Sequence, residues 1–579
     1  MKKILAIVLA LVMVLSLAAC GNGGGGGSTT EAPKTETPKT EAPKTETPKS
    51  EPAVEVTPPP VVVDDTVKME TVNGPFGDYL VYTTPHKEDL GPVEPGVLWI
   101  GQENPVEAGN PFANGASPFY DLVYDKLLEY NLDTGELQGV VFKEWEMAPD
   151  NSYMTFTMHD NIYFHDGTHA TAEDVMYTLE RAIDPTISQQ ADRNVFGNID
   201  FDKSEITDTY SGKIVLKVPT VTFTPGLTKA WLLCKSYIEK MGEDNAWWSN
   251  CVGSGPYKVD DVIAGDRFIV SKFDNYWKGG EKNSFDKIII RAYSELATMY
   301  MDYETHNLDM IIGLSSSDME RIVNGDIDNT VLGIYSLLNT YSIVFNEEEG
   351  NPALKDENVR KAIALAIDPE TVEAFSWEYL GAPATSVVPS GLPDSVPMAY
   401  EQNIEEAKAA LAAAGYKPGE LTIKIGTHSG QTVLRASESA QAMLEEVGFK
   451  TEMIIAERTA HIMNMRNGGP DTYDLGITMQ AFETLESANL LGTISHANGS
   501  ASFSAASDEV VDELVQKAKA ATSIENKQAI MKELQEYIRD HYWYVPLVEA
   551  TYAIVYRDYL DGIRVLIPRM ADLRMAEFK

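Results

Sequence analysis

The chain has 579 residues, with 87 acidic against 46 basic side chains and a formal net charge of −41. A surface this acidic repels polyanions, which excludes nucleic acid as a partner. The length exceeds what one hydrophobic core organises, so two or three domains are expected, and none of the three cysteines forms a CxxC or sits at zinc spacing from a histidine.

The N-terminus reads as an export signal. Lys2 and Lys3 precede an apolar run from Ile4 to Ala19, broken only by Ser16. That run is shorter than the roughly 20 residues a bilayer span needs. It ends in Leu17-Ala18-Ala19-Cys20, which resembles the lipobox of bacterial lipoproteins. The alternatives are an ordinary secretory signal or an N-terminal membrane anchor. The resemblance implies removal of residues 1–19 and diacylation of Cys20, which would hold the protein to the extracytoplasmic face of the cell membrane. No later segment offers 18 consecutive apolar residues, so the lipid would be the sole membrane contact.

Residues 20–63 read as a tether. Gly21 to Gly27 is almost all glycine, and a decapeptide follows twice, EAPKTETPKT at 31–40 and EAPKTETPKS at 41–50. This composition has no apolar surface to bury and forms a semi-extended spacer of about 3.1 Å per residue.

Strands are expected at 97–101 (VLWIG), 153–158 (YMTFTM) and 162–164. A helix is expected over Thr171–Asp184, with Thr171 and Asp174 in a capping-box arrangement and Asp184-Pro185 as its stop. Cys234 and Cys251 could form one disulfide outside the cytoplasm or remain buried thiols. Further on, helices and strands alternate: helices at 356–367, 404–414, 431–447 and 457–466, strands at 421–425, 449–455 and 473–478. Helices near 508–521 and 524–540 lead into two strands, 542–548 and 552–556. The alternation implies an α/β chain with a parallel or mixed sheet.

Five strings, in order, resemble the extracellular solute-binding proteins of the peptide/nickel-type ABC importers, family 5. They are Trp145-Glu146 with Phe164-His165-Asp166-Gly167 and Thr171-Ala172-Glu173-Asp174-Val175; Gly253-Ser254-Gly255-Pro256-Tyr257 with Asn275-Tyr276-Trp277; Asn358-Val359-Arg360-Lys361-Ala362-Ile363 with Ala366-Ile367-Asp368; Ala407-Lys408-Ala409-Ala410-Leu411 with Ala414-Gly415-Tyr416; and Val545-Pro546-Leu547. His165 and His169 are read as scaffold, because the Asp166-Gly167 turn breaks any helix that could bring both to one metal.

The resemblance implies a three-domain, periplasmic-binding-protein-like α/β fold of two lobes, a hinge and an inserted small domain. One lobe would be built from residues 64–115, 221–343 and 545–579, the insert from 116–220 and the other lobe from 344–544. It implies no enzyme and no cofactor, but a monomeric receptor that captures a solute and delivers it to ABC permease subunits. An oligopeptide is the leading solute. In peptide-binding members an aspartate after a tryptophan holds the ligand amine. The matching stretch here, Thr478 to Glu483 (TMQAFE), lacks both residues and leaves Glu483 nearest that place. Gln480 and Phe482 suit a neutral polar ligand with an apolar face. Tyr341, near the expected hinge, and Glu103, after the first strand, complete the candidate cleft. An oligosaccharide is the alternative ligand; nickel and haem fit less well because no histidine cluster stands out. A surface hydrolase is disfavoured by the lack of Gly-x-Ser-x-Gly and His-Glu-x-x-His motifs. A non-transport surface lipoprotein would share the same fold.

Overall fold

The computed structural model describes residues 66–579 apart from 75–77, 104–108, 113–119, 189, 280–283, 347–349, 378–380, 458–459, 462–463, 465–472, 482–485, 489–507 and 566–570. Cys20, the tether, Phe482, Glu483 and most of the helix expected at 457–466 lie outside the described residues, and of Gln480 only the backbone is described.

The chain enters through an antiparallel pair, β1 (Lys68–Val72) and β2 (Tyr79–Thr83). The apolar VLWIG run lies in β3 (Val97–Glu103), which is buried along most of its length. Four strands then form a separate antiparallel sheet: β4 (Phe142–Met147), β5 (Tyr153–Met158), β6 (Glu205–Asp208) and β7 (Ser211–Val215), in the order β4-β5-β7-β6. Helix α1 (Ala172–Ile183) shares a hydrophobic cluster with this sheet: Val175 and Leu179 are buried with Met154, Phe156 and Ile214. Its Thr171–Asp174 capping box forms as the sequence indicates. The strand expected at 162–164 is a single bridge, Tyr163 opposite His169. The turn through Gly167 (φ +87°) follows at once and leaves no length for a ladder.

Next come β8 (Tyr257–Ile263), β9 (Arg267–Lys272), β10 (Lys287–Tyr293), β11 (Met310–Ile312), α2 (Ser316–Val323) and the long β12 (Thr330–Phe345). The second half adds α3 (Glu357–Ala366), α4 (Pro369–Ser376), β13 (Gly381–Pro383), α5 (Ile404–Ala413), β14 (Thr422–His428), α6 (Gln431–Val447), β15 (Lys450–Ala456) and β16 (Leu475–Ala481). Helices α7 (Glu509–Lys519) and α8 (Ile524–Asp540) precede the last long strand, β17 (Tyr544–Arg557). The two strands expected at 542–548 and 552–556 are thus one. Glu549, which breaks the apolar pattern, is buried, and Ser390 donates to both of its carboxylate oxygens, so its charge is satisfied within the strand.

One mixed sheet of 13 strands runs β8-β9-β10-β3-β11-β17-β12-β16-β14-β15, with β1, β2 and β13 attached at its sides. Its flanks are covered by separate apolar clusters. On one side Leu98, Ile288, Ile290 and Met310 pack with the small sheet, and Met299, Tyr303, Ile311 and Ile322 form a second group. On the other side Ile363, Leu411, Ile423, Ile425 and Leu444 form one core, and Leu514, Val515, Met531 and Leu534 another.

Candidate functional site

Strands β12 and β17 contribute to the cores on both sides. Leu332 and Val555 belong to one, and Phe345, Val545 and Leu547 to the other. Around their middle they exchange their outer neighbours. β12 pairs with β2 through Ile334 and with β16 from Asn339 onward; β17 pairs with β13 through Ala550 and with β11 from Ile554. Between those points the sheet narrows to a two-stranded neck, residues 335–338 against 551–552. The register slips between Ser336 and Asn339, and Leu338 takes a left-handed conformation (φ +52°) with its N–H donating to Ser336 Oγ at 3.1 Å. A bulge in a two-stranded ribbon bends and twists more readily than a wide sheet. These are the properties of a hinge.

The neck carries a cluster of aromatic and polar side chains. Tyr552 lies edge-on to Tyr335, with centroids 6.3 Å apart. Its hydroxyl lies close over Gly313, where an added Cβ would come within 3.1 Å of it. Burial pushes the Tyr552 phenol above its ordinary range, and the nearby charges of Glu103 and Tyr341 add to the rise. Glu103 is exposed at the end of β3, and Tyr341 is half-buried on β12. Tyr341 packs on Trp377 from the second half, with centroids 4.8 Å apart. The carbonyl of Trp377 accepts from Ser316 Oγ (3.3 Å) at the start of α2, so Trp377 touches both sides. Sequence reasoning missed Trp377, Tyr335 and Tyr552, which belong to no motif. The buried hydroxyls of Tyr335 and Thr340 have no hydrogen-bond partner among the described residues. Gln480 sits opposite Thr340 on β16.

The five sequence strings serve the frame around this neck. His165 joins the first to the second: its Nδ1 accepts the Gly253 N–H (3.2 Å) and its Nε2 faces the Gly255 carbonyl (3.0 Å). That pattern fixes the neutral tautomer with the proton on Nε2, and burial holds the ring at about 4. Gly253 and Gly255 lie against the backbone of residues 122–124, where a Cβ would clash. Tyr276 and Trp277 both donate to buried Asp125, at 3.0 and 2.8 Å. Arg360 of α3 is buried, donates to the carbonyls of Leu354 (2.9 Å) and His541 (3.1 Å), and stacks 4.0 Å over Trp543. Pro546 falls at a second register slip of β12–β17, where a missing N–H is tolerated.

In the second half, parallel strands β16-β14-β15 end at Ala481, His428 and Ala456, and such C-terminal ends border ligand crevices. His461 beyond β15 is buried, stacks on Tyr473 (5.5 Å), and is held down at about 4, chiefly by burial and then by His428. Beyond β16, Glu486 is pinned in the interior: Lys527 of α8 reaches it at 2.8 Å and Asp394 at 3.0 Å, and Ser487 also donates to Asp394. No group of three or more metal-ligating side chains occurs among the described residues. Cys234 and Cys251 are both buried free thiols, pushed up to about 11 by burial.

Apolar clusters on either side of a narrow neck, with aromatic side chains packed at it, define a two-lobed α/β fold. The fold agrees: a dipeptide-binding protein of Pseudoalteromonas sp. SM9913, solved with Met-Leu, superposes with a TM-score of 0.73 at 19% identity, covering 83% of this chain and 100% of that one. A nickel–histidine-binding protein of Campylobacter jejuni, NikZ, gives 0.71 at 18% identity over 83% and 99%. Residues 136–499 match the model of the bacterial extracellular solute-binding proteins, family 5, and the chain belongs to that family. Among curated relatives, the periplasmic murein peptide-binding protein MppA of Escherichia coli is 22% identical over 77% of this chain and 86% of its own length. The glutathione-binding protein GsiB of Shigella flexneri is 26% identical over 56% of this chain, and the match spans 63% of that relative.

Proposed function

We propose that the protein is a lipid-anchored extracytoplasmic receptor of an ABC importer. It closes two lobes over a peptide-like solute and hands it to membrane permease subunits. The observation that carries this reading is the two-stranded neck, flanked by Glu103, Tyr341, Trp377 and Tyr552 and joining two separately packed cores. A solute that touches both lobes favours the closed form by its differential affinity for it. The exposed Glu103 carboxylate would meet a ligand amine, and the Tyr341–Trp377 pair an apolar side chain. Gln480, Phe482 and Glu483 are further ligand-contact candidates on the sequence pattern alone. The lobes are residues 64–115 with 221–343 and 545–579, and residues 344–544; residues 116–220 form an insert on the first.

The relatives named for murein peptide and glutathione, and the fold neighbour holding Met-Leu, support a peptide-like solute. The lipobox-like Cys20 and the repeat behind it support a membrane tether. Native mass spectrometry of the soluble Cys20→Ala protein tests the ligand: a carried-over peptide appears as a mass excess, whereas a glycan or a metal of defined mass would displace the peptide reading. Membrane fractionation of the same variant tests the anchor, since retention in the membrane fraction would refute it.

A further inference from the structure

A second contact joins the two halves, away from the neck strands. Helix α7 ends at Lys519, and the connection to α8 runs through Ala520, Ala521 and Thr522. The carbonyls at a helix C-terminus lack intrahelical donors and need outside ones. Here the donors come from the small-sheet side. Thr220 Oγ1 donates to the Lys519 carbonyl (2.6 Å), the Val221 N–H to the Ala521 carbonyl (3.0 Å) and Asn151 Nδ2 to the Thr522 carbonyl (2.8 Å).

Both side-chain donors are oriented in advance. Asn151 takes a left-handed conformation (φ +56°) in the β4–β5 turn, and its own carbonyl accepts the Thr220 N–H. The Thr220 hydroxyl accepts the Thr222 N–H at 3.1 Å, which leaves its proton facing Lys519. The donors' flanks, Met154 and Leu216, are buried in one core, and the acceptors' flanks, Leu514 and Ala518, in another. Bending at the neck that carries these two cores apart would break all three bonds.

We propose that this contact is a latch on the closed state. It holds the α7–α8 connection against the small sheet and sets how long the lobes stay shut. The inference rests on the reading of the protein as a two-lobed receptor. Closed, the Lys519, Ala521 and Thr522 carbonyls are satisfied by protein donors; open, they are satisfied by water, and the balance is small enough for a solute to tip. Two hydrogen bonds of ordinary net worth shift such an equilibrium by about ten-fold or more.

The test is electron–electron distance measurement on the ligand-free full chain with Cys20→Ala and spin labels at Asp202→Cys and Glu533→Cys, both exposed positions. The parent should show a short-distance population that Asn151→Ala with Thr220→Val depletes about ten-fold relative to the long one. Thr220→Ser, which keeps the hydroxyl, should restore it in the Asn151 background in part. Identical distributions in the parent and double variant, or a serine variant that behaves as the valine one, would overturn the latch. The receptor reading fails on a different readout, the absence of any bound or binding solute.

Discussion

The buried charge group behind β16 gives a sharp prediction. Lys527, Asp394 and Glu486 are 8%, 5% and 3% exposed, and one ammonium serves two carboxylates at 3.0 and 2.8 Å. Burial alone would lower the Lys527 pKa, but the two carboxylates outweigh it and hold the ammonium above its ordinary value. Burial raises Glu486, and Lys527 only partly offsets that. Lys527→Met keeps the volume and removes the charge, leaving two carboxylates in the interior. Losing one partner of a buried ion pair costs about 3–5 kcal/mol. In a lobe of this size each kcal/mol is worth about 2–4 °C, so the transition of the second lobe should fall by about 6–20 °C. Differential scanning calorimetry at pH 7.5 measures it. The deficit should shrink as pH falls, because a carboxyl whose folded pKa is raised binds its proton more readily in the folded state. Asp394→Asn and Glu486→Gln added to Lys527→Met should recover most of the loss. A single variant within about 1 kcal/mol of the parent, or a deficit that grows toward acid, would refute the reasoning.

Three further outcomes follow from the site and its frame. His165 is held at about 4 while an unfolded histidine titrates near its ordinary value, so the unfolded state takes up the proton first and stability is lost as pH falls from about 6.5 to 4; His165→Gln should flatten Tm against pH in that window, and parallel curves would contradict it. Tyr341→Ala removes the ring on Trp377 and should weaken solute binding by about five-fold, read by calorimetric titration with the co-purified solute, with folding intact. Cys234 and Cys251 should resist a thiol reagent until the protein is denatured, and reductant should leave Tm unchanged; a drop in Tm with reductant would indicate a disulfide.

The frame was legible because its strings obey local rules. The Thr171–Asp174 box starts α1, and Gly448 (φ +113°) closes α6 at the boundary the sequence marks. What local pattern could not supply was long-range. Residues 542–548 and 552–556 read as two strands, yet Glu549 between them is buried in one strand and held by Ser390, 159 residues away. Trp377 and Tyr552 carry no motif; they lie beside the neck because β12 and β17 exchange neighbours there. Asp125 receives Tyr276 and Trp277 only after the chain folds back over about 150 residues, so its role is invisible in its own neighbourhood. Glu103 and Tyr341 are expectations from position alone, since one ends a first strand and the other lies near the expected hinge.

In the proposed receptor, the neck closes two lobes over a peptide-like solute. Thermal shift of the soluble Cys20→Ala protein against parallel panels of short peptides and oligosaccharides tests it most directly. A bound peptide at 100 times its Kd adds about 2.7 kcal/mol to the folded state, well above detection. Members of the peptide panel should stabilise the protein and the sugars should not. Stabilisation by oligosaccharides with a silent peptide panel would contradict it.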